Sequence, residues 1–180
     1  RCNERRGILL LQQMDRKLGL TEKVASQFCD QRDDPTRVKH DQLSMVRQRV
    51  YGLALGYEEL NDHRAALRRD TAFQTALYKD NDLASSPTLY RCENRADRSV
   101  ALALHEVLIE QFISSYEKSP RELILDFDAT DDLILGQQVG RFYHSYYENY
   151  CFLPLYVFCG TQVLVSYLRP SNKDGGYHGW

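Results

Sequence analysis

Apolar positions recur along this chain with two different periods, and the change from one to the other divides it. In "HDQLSMVRQRVYGLALGYEEL", Leu43, Val46, Val50, Leu53, Ala54 and Tyr57 fall at the three-to-four-residue spacing of a helix face, with Asp41 placed to cap the start. In "DRSVALALHEVLIEQFISSYEKSP", Val100, Leu104, Val107, Leu108 and Phe112 form a second stripe, and Pro120 lies just beyond its end. Between them, "ASSPTLYRCENRAD" predicts a short helix with Ser86 as cap and Pro87 at the first helical position, where its missing N–H costs nothing. Two further helices are expected near Gly7–Leu18 and Thr21–Cys29, joined by "LGLT". That pair is helix-turn-helix-like in outline, but two short helices around a glycine are common and the turn alone is a weak mark of DNA reading.

After Pro120 the period becomes two. "ELILDFDAT" alternates, with Leu123, Leu125, Phe127 and Ala129 on one side and Ile124, Asp126, Asp128 and Thr130 on the other. "YCFLPLYVFCGTQVLVSYLRPSN" then supplies two apolar runs around Gly160-Thr161, a glycine-first pair suited to a tight hairpin. Pro154 removes a ladder donor from the first run, which implies a bulge or an edge segment there. The expectation is an α+β or α/β chain: a helical region over residues 1–118, then three strands opening a sheet over residues 119–180.

Composition sharpens this division. A hydrophobic content of 43% supports a real core, and a formal net charge of −2 argues against a surface that traps nucleic acid wholesale. Residues 1–120 hold 19 Lys and Arg against 18 Asp and Glu, while residues 121–180 hold 4 against 7. The first part is therefore densely charged yet nearly neutral, and the second is apolar, aromatic and acidic. Cys2, Cys29, Cys92, Cys151 and Cys159 are odd in number with no CxxC spacing, so reduced thiols in a cytoplasmic setting are expected rather than a disulfide framework or a zinc ribbon. No stretch resembles a signal peptide or reaches the length of a membrane span. The start at Arg1 and the close at "DGGYHGW" read as cuts through a longer protein.

The chemistry centres on "LILDFDATDD". Asp126 and Asp128 share a face one pleat apart, and two adjacent carboxylates in a dry site call for basic partners or a divalent cation. Hard oxygen donors suit Mg²⁺ or Mn²⁺, and such ions activate attacking and leaving oxygens in phosphodiester chemistry. The alternative is structural: Asp126 on a solvated sheet face, and Asp131 and Asp132 opening a loop. "GRFYHSYYENYCFLPLYVF" likewise has two readings, aromatic faces that stack unpaired bases or an ordinary packed strand. Arg47, Arg49, Arg64, Arg68, Arg69, Arg91, Arg95 and Arg98 fit phosphate contact but are interleaved with acids, as on a solvated helix surface.

These strings carry a resemblance. "LILDFDATDD", "GQQVGRFYHSYYENYCFLPLYVFCG" and "LVSYLRPSN", with "RQRVYGLALGYEELNDH" and "LASSPTLYRCENRADR" upstream, are similar to the DDE-domain (group 1) transposases of bacterial insertion sequences, over about Gly7 to Asn172. The resemblance implies a ribonuclease-H-like core, related in architecture to retroviral integrases, in which two Asp and one Glu hold Mg²⁺ or Mn²⁺. Such cores cut DNA at transposon ends and join the freed 3′-hydroxyl to target DNA, generally as homo-oligomers acting at the nucleoid. The first acid belongs in an Asp-x-Thr setting on the first core strand, which points to Asp128 as metal ligand and catalytic residue, with Asp126 second and Thr130 orienting the strand end. Arg169, His144 and Arg141 are the candidate DNA contacts beside it.

The chain also departs from the pattern. The family's second Asp and its Glu have no counterpart here, since Glu122, Glu148 and Asp174 stand in unmatched contexts. Leu135 and Val139 replace a histidine and an acid that the family often shows. The expectation is thus a helical scaffold with an incomplete catalytic core, inactive alone. The alternatives are a non-catalytic binding segment that interferes with full-length transposase, or a remnant without function.

Overall fold

The computed structural model describes residues 2–30, 38–64 and 67–173, with the backbone alone described for residues 2–6. Arg1, the side chain of Cys2, and the tail from Asp174 therefore lie outside the described residues. The architecture is α+β: helices α1 to α6 precede six short strands in two small antiparallel sheets. The chain divides into two compact units, residues 1–107 and residues 108–180.

In the first unit, α1 (Cys2–Leu18) and α2 (Leu20–Ser26) are separated by Gly19 alone, which sits in the left-handed region at φ 63° and reverses the chain without the Cβ clash an L side chain meets there. Asp15 fixes this corner. Its Oδ1 accepts from the Thr21 N–H at 2.9 Å, and its Oδ2 accepts from the Thr21 hydroxyl at 2.5 Å and the Tyr51 hydroxyl at 2.8 Å. The Arg47 Nε lies 3.5 Å from the same oxygen, so this buried carboxylate is paired as well as hydrogen-bonded. Burial, and then the Asp15 bond, hold the Tyr51 phenol well above its usual range.

α3 (Gln42–Ala54) begins as its sequence predicts, with Asp41 accepting from the Ser44 N–H at 2.8 Å. Its buried face does not follow the predicted stripe. Met45, Val46, Gln48, Tyr51 and Gly52 are buried, while Leu53 and Ala54 are exposed. The reason is polar. Gln48 Nε2 donates to the Ala84 carbonyl at 2.9 Å while its Oε1 accepts from the Ala84 N–H at 3.0 Å, so one side chain satisfies both backbone polar groups of a buried residue. Gln48 Nε2 also lies 3.1 Å from Nδ1 of the fully buried His63. Apolar periodicity cannot register a helix face whose anchor is an amide.

α4 (Thr71–Ala76), which the pattern did not predict, is capped by Asp70, whose carboxylate accepts from the Ala72 and Phe73 N–H groups. α5 (Ser86–Glu93) starts one residue earlier than expected, with Ser85 rather than Ser86 at the cap and Pro87 within the first turn. Two clusters form the core: Ile8, Tyr51, Leu67, Phe73, Ala76, Leu77 and Leu83, and separately Met45, Ala84, Leu89 and Cys92. In α6 (Arg98–Ser114), Val100, Val107 and Phe112 are buried as the stripe predicts, and Asp97 accepts from the Val100 N–H at 3.0 Å.

The second unit departs further from the three expected strands. β1 is confined to Asp126–Ala129, and β5 (Leu155–Cys159) and β6 (Gln162–Tyr167) complete one sheet in the order β1-β5-β6. Leu123, Ile124 and Leu125 precede β1 and are exposed. β1 is short because its partner is short: Pro154 ends the pairing on one side of β5 and the Gly160 turn ends it on the other. A second sheet of β2 (Asp132–Leu133), β3 (Phe142–His144) and β4 (Asn149–Phe152) intervenes in the sequence, in the order β2-β4-β3. The run "YCFLPLYVFCG" is therefore two strands in two sheets, cut at Pro154, and the bulge falls instead at Val157/Phe158. Phe112, Ile134, Cys151, Leu153, Leu155, Val157 and Leu164 are among this unit's buried apolar residues.

Candidate active site

The register of β1 fixes what surrounds its acids. Asp128 lies opposite Tyr156 and Asp126 opposite Phe158, while Phe127 and Ala129 lie opposite the buried Val157 and Leu155. By strand alternation Asp126 and Asp128 therefore share a face with Tyr156 and Phe158, whose ring centroids are 6.2 Å apart. Both carboxylates are exposed, so the cost of desolvating them does not arise. The Thr130 N–H donates to the Pro154 carbonyl at 3.3 Å, which ties down the end of the strand two residues past Asp128. Asp131 is half-buried and Asp132 opens β2, so the second acidic pair starts a strand rather than a free loop.

As hard oxygen donors on one solvated face, Asp128 and Asp126 fit one or two positions of a Mg²⁺ or Mn²⁺ shell. Among the described residues no group of three His, Cys, Asp or Glu side chains gathers that would hold a metal ion by itself. Glu122 is exposed and precedes β1, outside the paired strands; Glu148 is exposed in the β3–β4 turn at φ 51°. Asp174 lies outside the described residues.

The three candidate DNA contacts separate. Arg169 is 1% exposed; its Nε donates to the Leu153 carbonyl at 3.0 Å and its own carbonyl accepts from the Leu153 N–H at 2.8 Å. This arginine closes the end of the sheet from inside. Arg141 is half-buried, with its guanidinium 4.7 Å from the centroid of the Tyr150 ring and Nη1 donating to the Gly136 carbonyl. His144 stacks obliquely on Tyr147 at 4.9 Å, and its Nδ1 is buried with no hydrogen-bond partner among the described residues.

Around Arg141 and His144 the structure gathers what the sequence presents only as a crowd. Tyr143 and Tyr150 are cross-strand neighbours on β3 and β4, edge to face at 5.5 Å, and both are exposed. Cys151, one residue along and on the opposite face, is completely buried. The reading of this segment as ordinary packed strand thus holds for one face only. Partial burial, and next the Asp131 carboxylate, raise the Tyr147 phenol above its usual range.

In the helical unit several of the candidate phosphate-contacting arginines are held in ion pairs. Arg47 pairs with Glu22 at 2.8 Å, Arg49 with Glu93 at 2.5 Å, Arg68 with Asp82 at 3.4 Å and Arg95 with Asp30 at 3.3 Å. These join segments far apart in sequence, so they act first as stitches of the fold. No described helix is long and apolar enough to cross a membrane.

Compared with known proteins, residues 4–180 match the family model described as Transposase DDE domain group 1. No curated protein and no solved structure matches the chain.

Proposed function

The chain belongs to the Transposase DDE domain group 1 family, and from that premise we propose that it serves DNA transposition by metal-dependent strand cleavage and transfer, with Asp128 as the first of the metal-holding acids. The family implies a DNA substrate, and DDE transposases generally use divalent metal ions. The observation that carries the assignment is the placement of Asp128: exposed, on a paired strand, in the Asp-x-Thr setting, with that strand's end tied down through Thr130. The antiparallel order β1-β5-β6 supports a reading of this sheet as the opening of a ribonuclease-H-like core.

When bound, Mg²⁺ supplies charge stabilisation to the attacking and leaving oxygens of a phosphodiester. The protein's own part here is positional. Pairing with Tyr156 fixes the Asp128 backbone, so that only the carboxylate's own torsions remain to be ordered when an ion binds. Asp126, one pleat away, adds negative charge on the same face.

Mn²⁺ titration of the whole chain, followed by paramagnetic broadening of backbone amide signals, tests this. Signals around Asp128 should broaden first, and Asp128→Asn should weaken the effect by about ten-fold or more, given that losing even an outer-shell partner costs roughly 10–100-fold in metal affinity. Asp126→Asn should weaken it less. Broadening unchanged by Asp128→Asn would refute the assignment. The chain alone is expected to bind the element's end DNA without Mg²⁺-dependent nicking, because Glu122, Glu148 and Asp174 stand in unmatched contexts; nicking that Asp128→Asn abolishes would overturn that expectation.

A further inference from the structure

The outward face of the β3–β4 hairpin is unlike the rest of the second unit's surface. Tyr143 and Tyr150 stand opposite each other, 56% and 49% exposed, and Tyr146 at the turn is 80% exposed. Tyr146 meets Tyr147 edge to face at 5.0 Å, and Tyr147 in turn meets His144. Arg141 lies over Tyr150. Alternation along β4, and the pairing of Phe152 with Asp132, put Asp132 on the same face. Tyr143, Tyr146 and Tyr150 are thus left in contact with water, with Tyr147 and Arg141 half-buried beside them, while Cys151 on the other face is buried.

The chemistry of this face selects one kind of occupant. Arg141 is its one cation, against Asp132 on the face and the exposed Glu148 in the turn, so it has no net attraction for phosphate and is poorly suited to tracking a DNA backbone. Phenol rings and a stacked guanidinium instead offer flat π surfaces, which any nucleobase can match and which a paired base in a duplex cannot reach. Position points the same way, because β4 runs through Pro154 directly into β5, the strand whose Tyr156 lies opposite Asp128, and the Pro154 carbonyl accepts from the Thr130 N–H. We propose that the Tyr143–Tyr150 face, with Arg141 and the Tyr146 tip, is a stacking surface for unpaired bases of the DNA strand whose phosphodiester is brought to Asp128.

This inference rests on the transposase reading, and the experiment separates the two. The whole chain is titrated into matched single-stranded and duplex oligonucleotides of the element's end sequence, the single strand carrying 2-aminopurine. Stacking on the tyrosines should quench the probe, and the unpaired strand should bind more tightly than the duplex. Tyr143→Ala/Tyr150→Ala should remove the quench and weaken single-strand binding by about ten-fold or more, since stacking on each aromatic ring carries a large share of such affinity. Tyr143→Phe/Tyr150→Phe keeps both rings and should retain both signals, and a cooperative thermal melt of the alanine variant like that of wild type excludes misfolding as the cause. Retained quench and affinity in the alanine variant, with wild-type binding intact, would overturn the stacking surface alone. No binding of wild-type chain to either DNA would overturn the transposase reading and this inference with it.

Discussion

At the residue scale, His63 is the most consequential side chain that hydrophobic pattern could not reveal. It is fully buried, its Nδ1 takes the Gln48 amide proton, and its Nε2 has no partner among the described residues. Burial pushes its pKa below the ordinary histidine value, and Arg49 adds to this against the opposing pull of Asp62 and Glu93. The folded chain therefore holds His63 neutral, whereas the unfolded chain protonates it near pH ~6.5. Its contribution to stability is fully present above that pH and is lost as pH falls toward the folded value. Thermal melting should consequently occur at lower temperature at pH 5 than at pH 7, and His63→Gln should flatten that dependence. His40 is shifted the same way, chiefly by its own burial, so the difference between variant and wild type isolates His63. Equal slopes in the two proteins would show that His63 remains uncharged on unfolding or is already charged when folded.

At the scale of elements, α3 shows packing overriding propensity. Gly52 lies within the helix, where alanine is ordinarily favoured by about 1 kcal/mol. A Cβ there would stand 3.0 Å from Cε1 and 3.1 Å from Nε2 of His63, a ring held in place by Gln48 and closed off from solvent. Forcing such a group aside costs about 1–3 kcal/mol, which outweighs the helical gain. Gly52→Ala should thus lower the urea midpoint, and a raised midpoint would mean that the His63 ring can yield. The sheets teach a related lesson. Alternation in "LDFDAT" correctly assigns Asp126 and Asp128 to one face and Phe127 and Ala129 to the other, yet the strand is shorter than its alternating sequence because β5 offers only five residues to pair with. Gly160, at φ 60°, makes the β5–β6 turn that its sequence announces.

At the scale of the whole molecule, the exposed apolar residues of the second unit set how the chain behaves in solution. Ile124 is 76% exposed and Leu135 85%, and both stand outside the paired strands. Surface of this kind promotes association. The double substitution Ile124→Lys/Leu135→Lys should reduce binding of an apolar dye and raise the solubility limit, while shifting stability by no more than about 0.5 kcal/mol per site, as expected for exposed positions. Unchanged dye binding would locate the accessible apolar surface elsewhere. In the helical unit the comparable exposed apolar residues include Leu10 and Met14 on α1, 62% and 54% exposed, so an unchanged result would point to positions such as these.

The sequence by itself determined the change of period, the mixed α+β class, the capping of α3 by Asp41, the buried stripe of α6 and the shared face of Asp126 and Asp128. All of these follow from contacts between near neighbours, where spacing along the chain maps directly onto space. Its long strings also carried the family. Only the tertiary structure decided that Gln48 and His63 form a polar core, that Arg169 turns inward, that one apolar run is split between two sheets at Pro154, and that Tyr143 and Tyr150 face water. Each of these depends on a partner many residues away, and a side chain's own type and spacing do not say whether that partner will be a peptide group, a ring or solvent.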